Sequence, residues 1–318
     1  MTRKLTMLDF DAVHRLAPWE GLIDALHDAH LHPRPENGRL LMTQPVPGEQ
    51  PDALIVVPSW APGKALGAKL VTSFPRNVAR HGIPNVDAIY VLFDSETGQV
   101  QTVLDGQAIV YRKTSADSAL GVRLLAPPDA RSFLMVGAGA LAPWMVQAVR
   151  AVRPGLREIR VWNRTTERAA ELAASLASDC DLDVDVCTDL DRGVAEADIV
   201  ISATMSSTPL IKGDLLKPGA HVGMVGSFTT GMREGDDALL RRAMIYVDDY
   251  SAIEKTDEFL DPIARGVIKS TDVQGDLFAL CQRRCEMPGP DRVTMFKNAG
   301  AAHLDLFVAR YILAQAGG

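Results

Sequence analysis

The sequence predicts an α/β chain of two domains: a mixed α+β domain, then a parallel sheet wound with helices. Three observations carry this. Strand-like runs joined by short turns fill the first third of the chain. After Ala130 strands and helices alternate, which means βαβ units and a parallel sheet. Where the pattern changes stands Gly137-Ala138-Gly139-Ala140-Leu141-Ala142, between an apolar strand and a helix. A length of 318 residues suits one large or two medium domains.

Taken in order, "WEGLIDALHDAH" reads as a helix, and "DALIVVPSW", "GAKLVTSF", "DAIYVLFDSETGQVQTVLDG" and "AIVYRKTS" read as strands. Within the third run, "FDSETGQ" places turn formers between two β-rich arms, the pattern of a hairpin. The segment "TSADSALGVRLLAPPDA" reads as a helix stopped by Pro127 and Pro128. The alternating region follows: "SFLMVGAG", "APWMVQAVRAV", "EIRVWNR", "TERAAELAASLA", "VDVCT", "DLDRGVAEA", "DIVISATM", "HVGMVGS", "DDALLRRA" and "MIYVDD". The end, "NAGAAHLDLFVARYILAQAGG", is a long apolar-periodic helix fit to return to the first domain or to cover an interface.

The glycine stretch is the G-x-G-x-x-G/A fingerprint of a Rossmann dinucleotide-binding domain, in its strand–turn–helix setting. Gly137 permits the tight turn, Gly139 lets backbone approach a pyrophosphate, and Ala142 is small enough for close helix–strand packing. Ala138, Ala140 and Leu141 complete the turn, and the helix N-terminus offers free N–H groups to phosphate. At the end of the next strand an NAD site carries Asp or Glu for the ribose 2′-hydroxyl. Here stand Asn163, Arg164 and Thr165. No carboxylate repels a 2′-phosphate, Arg164 can pair with one, and Thr165 can donate to it or cap the helix. NADP(H) is the favoured cofactor, with NAD(H) as the alternative.

Composition narrows the partners. A formal charge of −7 argues against nucleic acid, and no stretch approaches about 18 uninterrupted apolar residues, so no membrane span is expected. The first residues lack the apolar core of a signal peptide, and four cysteines are too few for a disulfide framework, which points to the cytoplasm. No metal is expected: Cys281 and Cys285 lack a second pair, and His27, His30 and His32 belong on or beside the first helix.

The chain resembles the ornithine cyclodeaminase/mu-crystallin family over nearly its whole length. The resemblance rests on "GAKLVTSFPRN", "DSETGQVQTVLDG", "YRKTSADSALGVRLLA", "MVGAGALA", "VWNRTTERA", "ADIVISAT", "KPGAHVGMVGSF", "MREGDD" and "MFKNAGAAHLDL", in that order. It implies a homodimer. It also implies a substrate-binding and dimerisation domain from residues 1–115 with 300–318, and a Rossmann domain from 116–299. Substrates of the family are small imino or amino acids. By match to its motifs, Lys69 falls on the active-site lysine, Arg112 on the arginine that clamps the substrate carboxylate, and Arg39 on a second such arginine. The resemblance further assigns Thr204, Val225, Gly226 and Ser227 to the cofactor, Phe228 to the substrate, and Lys297 and Asn298 to the nicotinamide side.

Three departures separate this chain from the cyclodeaminases. Lys113 makes "RKTS" of the usual "RTAA", Val56 stands where they carry a glutamate, and Phe228 where they carry an aspartate. The branch that reduces cyclic ketimines such as Δ1-pyrroline-2-carboxylate or Δ1-piperideine-2-carboxylate to L-proline or L-pipecolate fits better. An ornithine cyclodeaminase or amino-acid dehydrogenase is the second reading, and a non-catalytic NADPH-dependent binding protein the third.

Overall fold

In the computed structural model, which describes residues 5–180, 182–227 and 230–317, the chain divides into two units. One comprises Met1–Lys113 with Ala301–Gly318, the other Thr114–Gly300.

Among the described residues, the first unit has a seven-stranded sheet. Its order is Thr6–Leu8, Val100–Asp105, Val86–Phe93, Ala65–Ser73, Asp52–Ala61 and Glu36–Asn37, with Leu40–Gln44 also on Asp52–Ala61. All pairings are antiparallel except that of Thr6–Leu8 with Val100–Asp105. Alternation sorts the side chains between the two faces. Tyr90, Leu92, Thr102 and Leu104 are buried on one face. The helix Ala302–Ala316 lies across this sheet, beside the helix Trp19–His30. The latter buries Leu22, Ile23, Leu26 and His30, the stripe that a 3.6-residue period brings to one side. The other sheet face leaves Leu40, Met42, Leu54, Trp60 and Ile89 exposed.

The run "AIVYRKTS" is not a strand. It lies inside the helix Gly106–Leu125. The β-branched pair Ile109–Val110 suggested extended chain, but Asp105 Oδ1 accepts the Ala108 N–H at 2.8 Å and starts a helix there. Ile109, Arg112, Ala116 and Leu120 then recur at helical spacing, all buried.

Among its described residues the second unit carries eight parallel strands. Their order is Asp185–Val186, Glu158–Trp162, Ser132–Val136, Ile199–Ser202, His221–Met224, Thr294–Lys297, Met244–Val247 and Val273–Asp276. Both faces are covered at the centre, where Ser132–Val136, Ile199–Ser202, His221–Met224, Thr294–Lys297 and Met244–Val247 are buried at every position, whereas Glu158–Trp162 toward the edge alternates. Phe133 and Met135 pack on one side with Met145, Val146 and Leu172 from the helices Ala142–Val152 and Thr166–Cys180. Leu134 and Val136 pack on the other with Val194, Leu239 and Phe259. The order reverses between Ser132–Val136 and Ile199–Ser202, and the carboxyl ends of such strands are where open α/β sheets bind ligands. The sequence reading did not foresee Thr294–Lys297, which inserts between His221–Met224 and Met244–Val247.

Candidate active site

In the second unit the fingerprint turn leaves the end of Ser132–Val136. Gly137 has φ +107°, and a Cβ there would stand 2.7 Å from the Ala203 carbonyl oxygen, so only glycine fits. Its N–H donates to Trp162 O at 2.8 Å. A Cβ on Gly139 would meet nothing within 4 Å. The protein's own packing therefore does not require glycine at 139; the opening in front of it suits a phosphate. Ala140 is exposed, Leu141 half-buried, and Ala142 buried as the first helical residue. No side chain caps this helix; its Ala142 N–H donates to Gly139 O at 3.0 Å and Pro143 has no N–H, so an anion here draws on the helix dipole and the backbone of the glycine turn. A dinucleotide pyrophosphate fits these residues.

Asn163 ties this turn to the next. Its Oδ1 accepts from Ala138 N at 3.2 Å and its Nδ2 donates to Thr165 O at 2.9 Å. Arg164 and Thr165 are exposed beside it.

At the ends of Ile199–Ser202 and His221–Met224, one buried carboxylate gathers both turns. Glu234 Oε1 accepts from Ser202 Oγ at 2.6 Å, Thr204 N at 2.7 Å and Thr204 Oγ1 at 2.8 Å, and Oε2 accepts from Gly226 N at 2.6 Å. The turns approach so closely that a Cβ on Gly226 would strike Thr204 backbone. Ser227 Oγ donates to Met232 O at 2.6 Å, and Val225 N to Ser202 O at 2.8 Å. Glu258 accepts from Glu234 N and Gly235 N, both at 2.9 Å. Burial raises the Glu258 pKa. Lys297 is wholly buried among Glu234, Glu258 and Asp248, and burial lowers its pKa against their pull. Asn298 Nδ2 donates to Thr114 O at 3.1 Å and Ser118 Oγ at 3.0 Å, which anchors the strand end to the helix Gly106–Leu125.

In the first unit, Lys69 stands opposite Tyr90 on one side and Val57 on the other, so all three share a sheet face. Its Nζ donates to Asp305 Oδ2 at 2.8 Å, from the helix Ala302–Ala316. Arg112 is buried. Its Nε donates to His14 Nδ1 at 2.7 Å, its Nη2 to His14 O at 3.0 Å, and its guanidinium lies 4.1 Å from the Trp19 ring centroid. Burial and Arg112 hold the His14 pKa at about 4, so this histidine is neutral. Neither His14 nor Trp19 cancels the Arg112 charge; they orient it. Burial lowers the Arg112 pKa to about 10, which leaves it cationic at neutral pH.

A profile of the ornithine cyclodeaminase/mu-crystallin family matches residues 19–318. The chain belongs to that family. It is 38% identical over 320 residues to a Δ1-pyrroline-2-carboxylate reductase of Paracoccus denitrificans, covering 98% of each chain. It is 32% identical over 258 residues to the ketimine reductase mu-crystallin of Mus musculus, covering 81% of this chain and 78% of that one. Among solved structures, the iminosuccinate reductase of Paracoccus denitrificans in complex with NAD+ superposes with a TM-score of 0.88 at 26% identity, covering 99% of this chain and 97% of the other. The chain is an NAD(P)H-dependent oxidoreductase of the ornithine cyclodeaminase/mu-crystallin family.

The residues carried over from the family lie as follows. Lys69 and Arg112 are in the first unit, held as described. Arg39 is exposed, and the register that pairs Asn37 with Ser59 and Leu40 with Val56 sets it opposite Val57, on the Lys69 face. Lys113 is buried. Phe228 lies outside the described residues. The fold also places Val56 and Lys297. Val56 pairs with Leu40 and Leu70, on the face opposite Lys69, so its lack of a carboxylate leaves the surroundings of Lys69 unaltered. Lys297 serves as counter-ion to buried acids, and its Nζ lies 3.4 Å from Met224 O. Sequence reasoning missed Glu234 and Asp305. Both lie in quoted motifs, "MREGDD" and "AAHLDL", but no local spacing tells a buried acid from a solvated one.

Proposed function

We propose that the protein is an NADPH-dependent ketimine reductase that converts Δ1-pyrroline-2-carboxylate or Δ1-piperideine-2-carboxylate to L-proline or L-pipecolate. One observation carries this reading: the first unit holds a buried, oriented Arg112 for a carboxylate and a lysine, Lys69, fixed on the sheet face for a nitrogen. Arg112 presents its guanidinium to the substrate carboxylate, and Arg39 approaches the Lys69 face from the sheet edge. Lys69 hydrogen-bonds and protonates the imine nitrogen, which favours attack at the adjacent carbon. In the second unit Gly137–Ala142 hold the pyrophosphate, and Thr204, Val225, Gly226 and Ser227 line the nicotinamide half. When bound, the nicotinamide supplies the hydride. Arg164 and Thr165 take the 2′-phosphate, hence the preference for NADPH.

The reading assigns substrate binding to residues 1–115 with 300–318 and cofactor binding to 116–299. It makes the protein a cytoplasmic homodimer. The exposed face of Leu40, Met42, Leu54, Trp60 and Ile89 supports the dimer, since apolar patches of this kind mark interfaces. No helix among the described residues is long and apolar enough to cross a membrane.

The test is oxidation of NADPH with freshly generated Δ1-pyrroline-2-carboxylate, run beside NADH and beside the Lys69→Ala variant. Rapid oxidation, faster with NADPH and lost in the variant while NADPH binding persists, supports the reading. Ammonia released from ornithine with NAD, and no imine reduction, replaces it with a cyclodeaminase. Silence in both arms overturns the substrate assignment.

A further inference from the structure

The helix Ala302–Ala316 is apolar along most of its length, burying Leu304, Leu306, Phe307, Val308 and Ile312. Asp305 interrupts this surface. Its side chain is 1% exposed, against 13% for Lys69. Oδ2 accepts from Lys69 Nζ, while Oδ1 is buried with no hydrogen-bond partner. Tyr90, beside Lys69 in the sheet, also has a buried hydroxyl with no hydrogen-bond partner. Burial and the Asp305 charge raise its pKa, so the phenol stays protonated. Gly67 makes room for this ring: a Cβ there would strike the Tyr90 hydroxyl.

A buried ion pair is a poor stabiliser. Desolvating a carboxylate costs several kcal/mol, and apolar replacements of similar volume often serve stability as well or better. Here a half-satisfied carboxylate occupies an apolar helix face, bonded to the lysine to which the function above gives the chemistry. We propose that Asp305 is the positioning residue of Lys69: it charge-pairs Nζ, fixes its direction on the sheet face, and thereby sets it to deliver a proton to the substrate nitrogen. The inference rests on the role given to Lys69. In the step concerned, an Nζ–H bond of the ammonium breaks and the lone pair of the ring nitrogen takes the proton. Lys69 is left as a neutral amine and is reprotonated from solvent.

Other groups share this surface. Tyr90 faces the pair from Val86–Phe93. His303 lies two residues before Asp305, its Nε2 3.3 Å from His30 Nε2 of Trp19–His30. The Leu26 carbonyl can only accept, so His30 Nδ1 carries a proton at 2.7 Å from it. Burial, His30, Arg34 and Lys113 hold His303 neutral. Asp52–Ala61 contributes Val57, with Arg39 opposite it at the edge. Among these groups Asp305 is the anion bonded to Lys69.

The test compares Asp305→Asn, Asp305→Glu and Lys69→Ala with the full-length protein in imine reduction at neutral pH. In Asp305→Asn kcat should fall about 10- to 100-fold, with KM for NADPH changed less than about twofold. Asp305→Glu, which keeps the charge and alters the reach, should lower kcat by less with the same KM, and this variant decides the matter if Asp305→Asn fails to fold. A wild-type kcat in either variant, or a loss carried by KM for NADPH, overturns the inference. If Lys69→Ala turns over normally, the role of Lys69 itself fails. If Lys69→Ala is inactive and Asp305→Asn behaves as wild type, only the inference fails.

Discussion

Two glycines of one turn should respond to the same substitution in opposite ways. In Gly139→Ala the new methyl meets nothing within 4 Å, and the residue lies outside the left-handed region. The folded chain is untouched, and the stiffer unfolded chain adds about 0.4–1 kcal/mol of stability. For a unit of this size that is a rise of up to about 4 °C in Tm. In Gly137→Ala the residue must hold φ +107° with its Cβ 2.7 Å from a backbone oxygen. Strain of about 1–3 kcal/mol follows, before any shift of Ala203, and Tm falls by about 2–12 °C. Ligand reverses the ranking of interest. NADPH at a hundredfold its Kd adds about 2.7 kcal/mol to the wild type. A methyl in the space meant for pyrophosphate raises Kd tenfold or more and cuts that gain to about 1.4 kcal/mol or less. Thermal unfolding by circular dichroism, with and without NADPH, reads both quantities. A Gly139→Ala protein that keeps the full NADPH-induced rise would refute the placement of phosphate at Gly139.

Three further outcomes are expected. Glu234→Gln sets an amide NH2 against the Gly226 N–H, costing about 1–3 kcal/mol, so Tm should drop. NADPH binding should weaken in that variant while 2′,5′-ADP binding holds within about twofold; titration of both ligands checks whether Glu234 shapes the nicotinamide half. Arg164→Ala should reduce the ratio of kcat/KM for NADPH over NADH about tenfold or more, and an unchanged ratio would remove Arg164 from the 2′-phosphate. Asp198 lies with Lys217 Nζ at 2.6 Å and accepts from Arg131 N and Ser132 N. Burial pushes its pKa up, but these bonds outweigh it and hold the carboxyl at about 2 instead of 3.8. Its contribution, about 1–2 kcal/mol after solvent screening, is therefore present above pH 4 and lost as pH falls toward 2. Asp198→Asn should melt earlier than wild type at pH 7, and the gap should close across that acid range.

The dinucleotide half was legible because its signals are local. A strand, a turn that needs Gly137 and a helix follow one another in sequence, and the apolar runs of Ser132–Val136 and Ile199–Ser202 record burial on both faces. The bonds that complete the site are not local. Glu234 reaches back to Ser202 and Thr204, and Lys69 meets Asp305 only after the chain has closed a loop through the whole second unit. The helix Gly106–Leu125 was obscured by Ile109–Val110, whose β-branched side chains pack equally well in a buried helix. The face on which Val56 sits depended on strand register, which a one-residue step reverses. Thr294–Lys297 escaped notice because four residues carry too little periodicity to announce a strand.

The first unit is assembled from both sides of the second, and this orders its synthesis. When Lys113 has been made, the sheet with Lys69 and Tyr90 still lacks the helix that lies across its inner face. The covering helix begins at Ala302, so Thr114–Gly300 is made and free to fold before it. Throughout that interval an apolar surface and a lysine without its carboxylate stand open to chaperones and to other nascent chains. The later arrival of Ala302–Ala316 both covers that surface and brings Asp305 to Lys69, so the first unit gains its ion pair only after all of Thr114–Gly300 has been made.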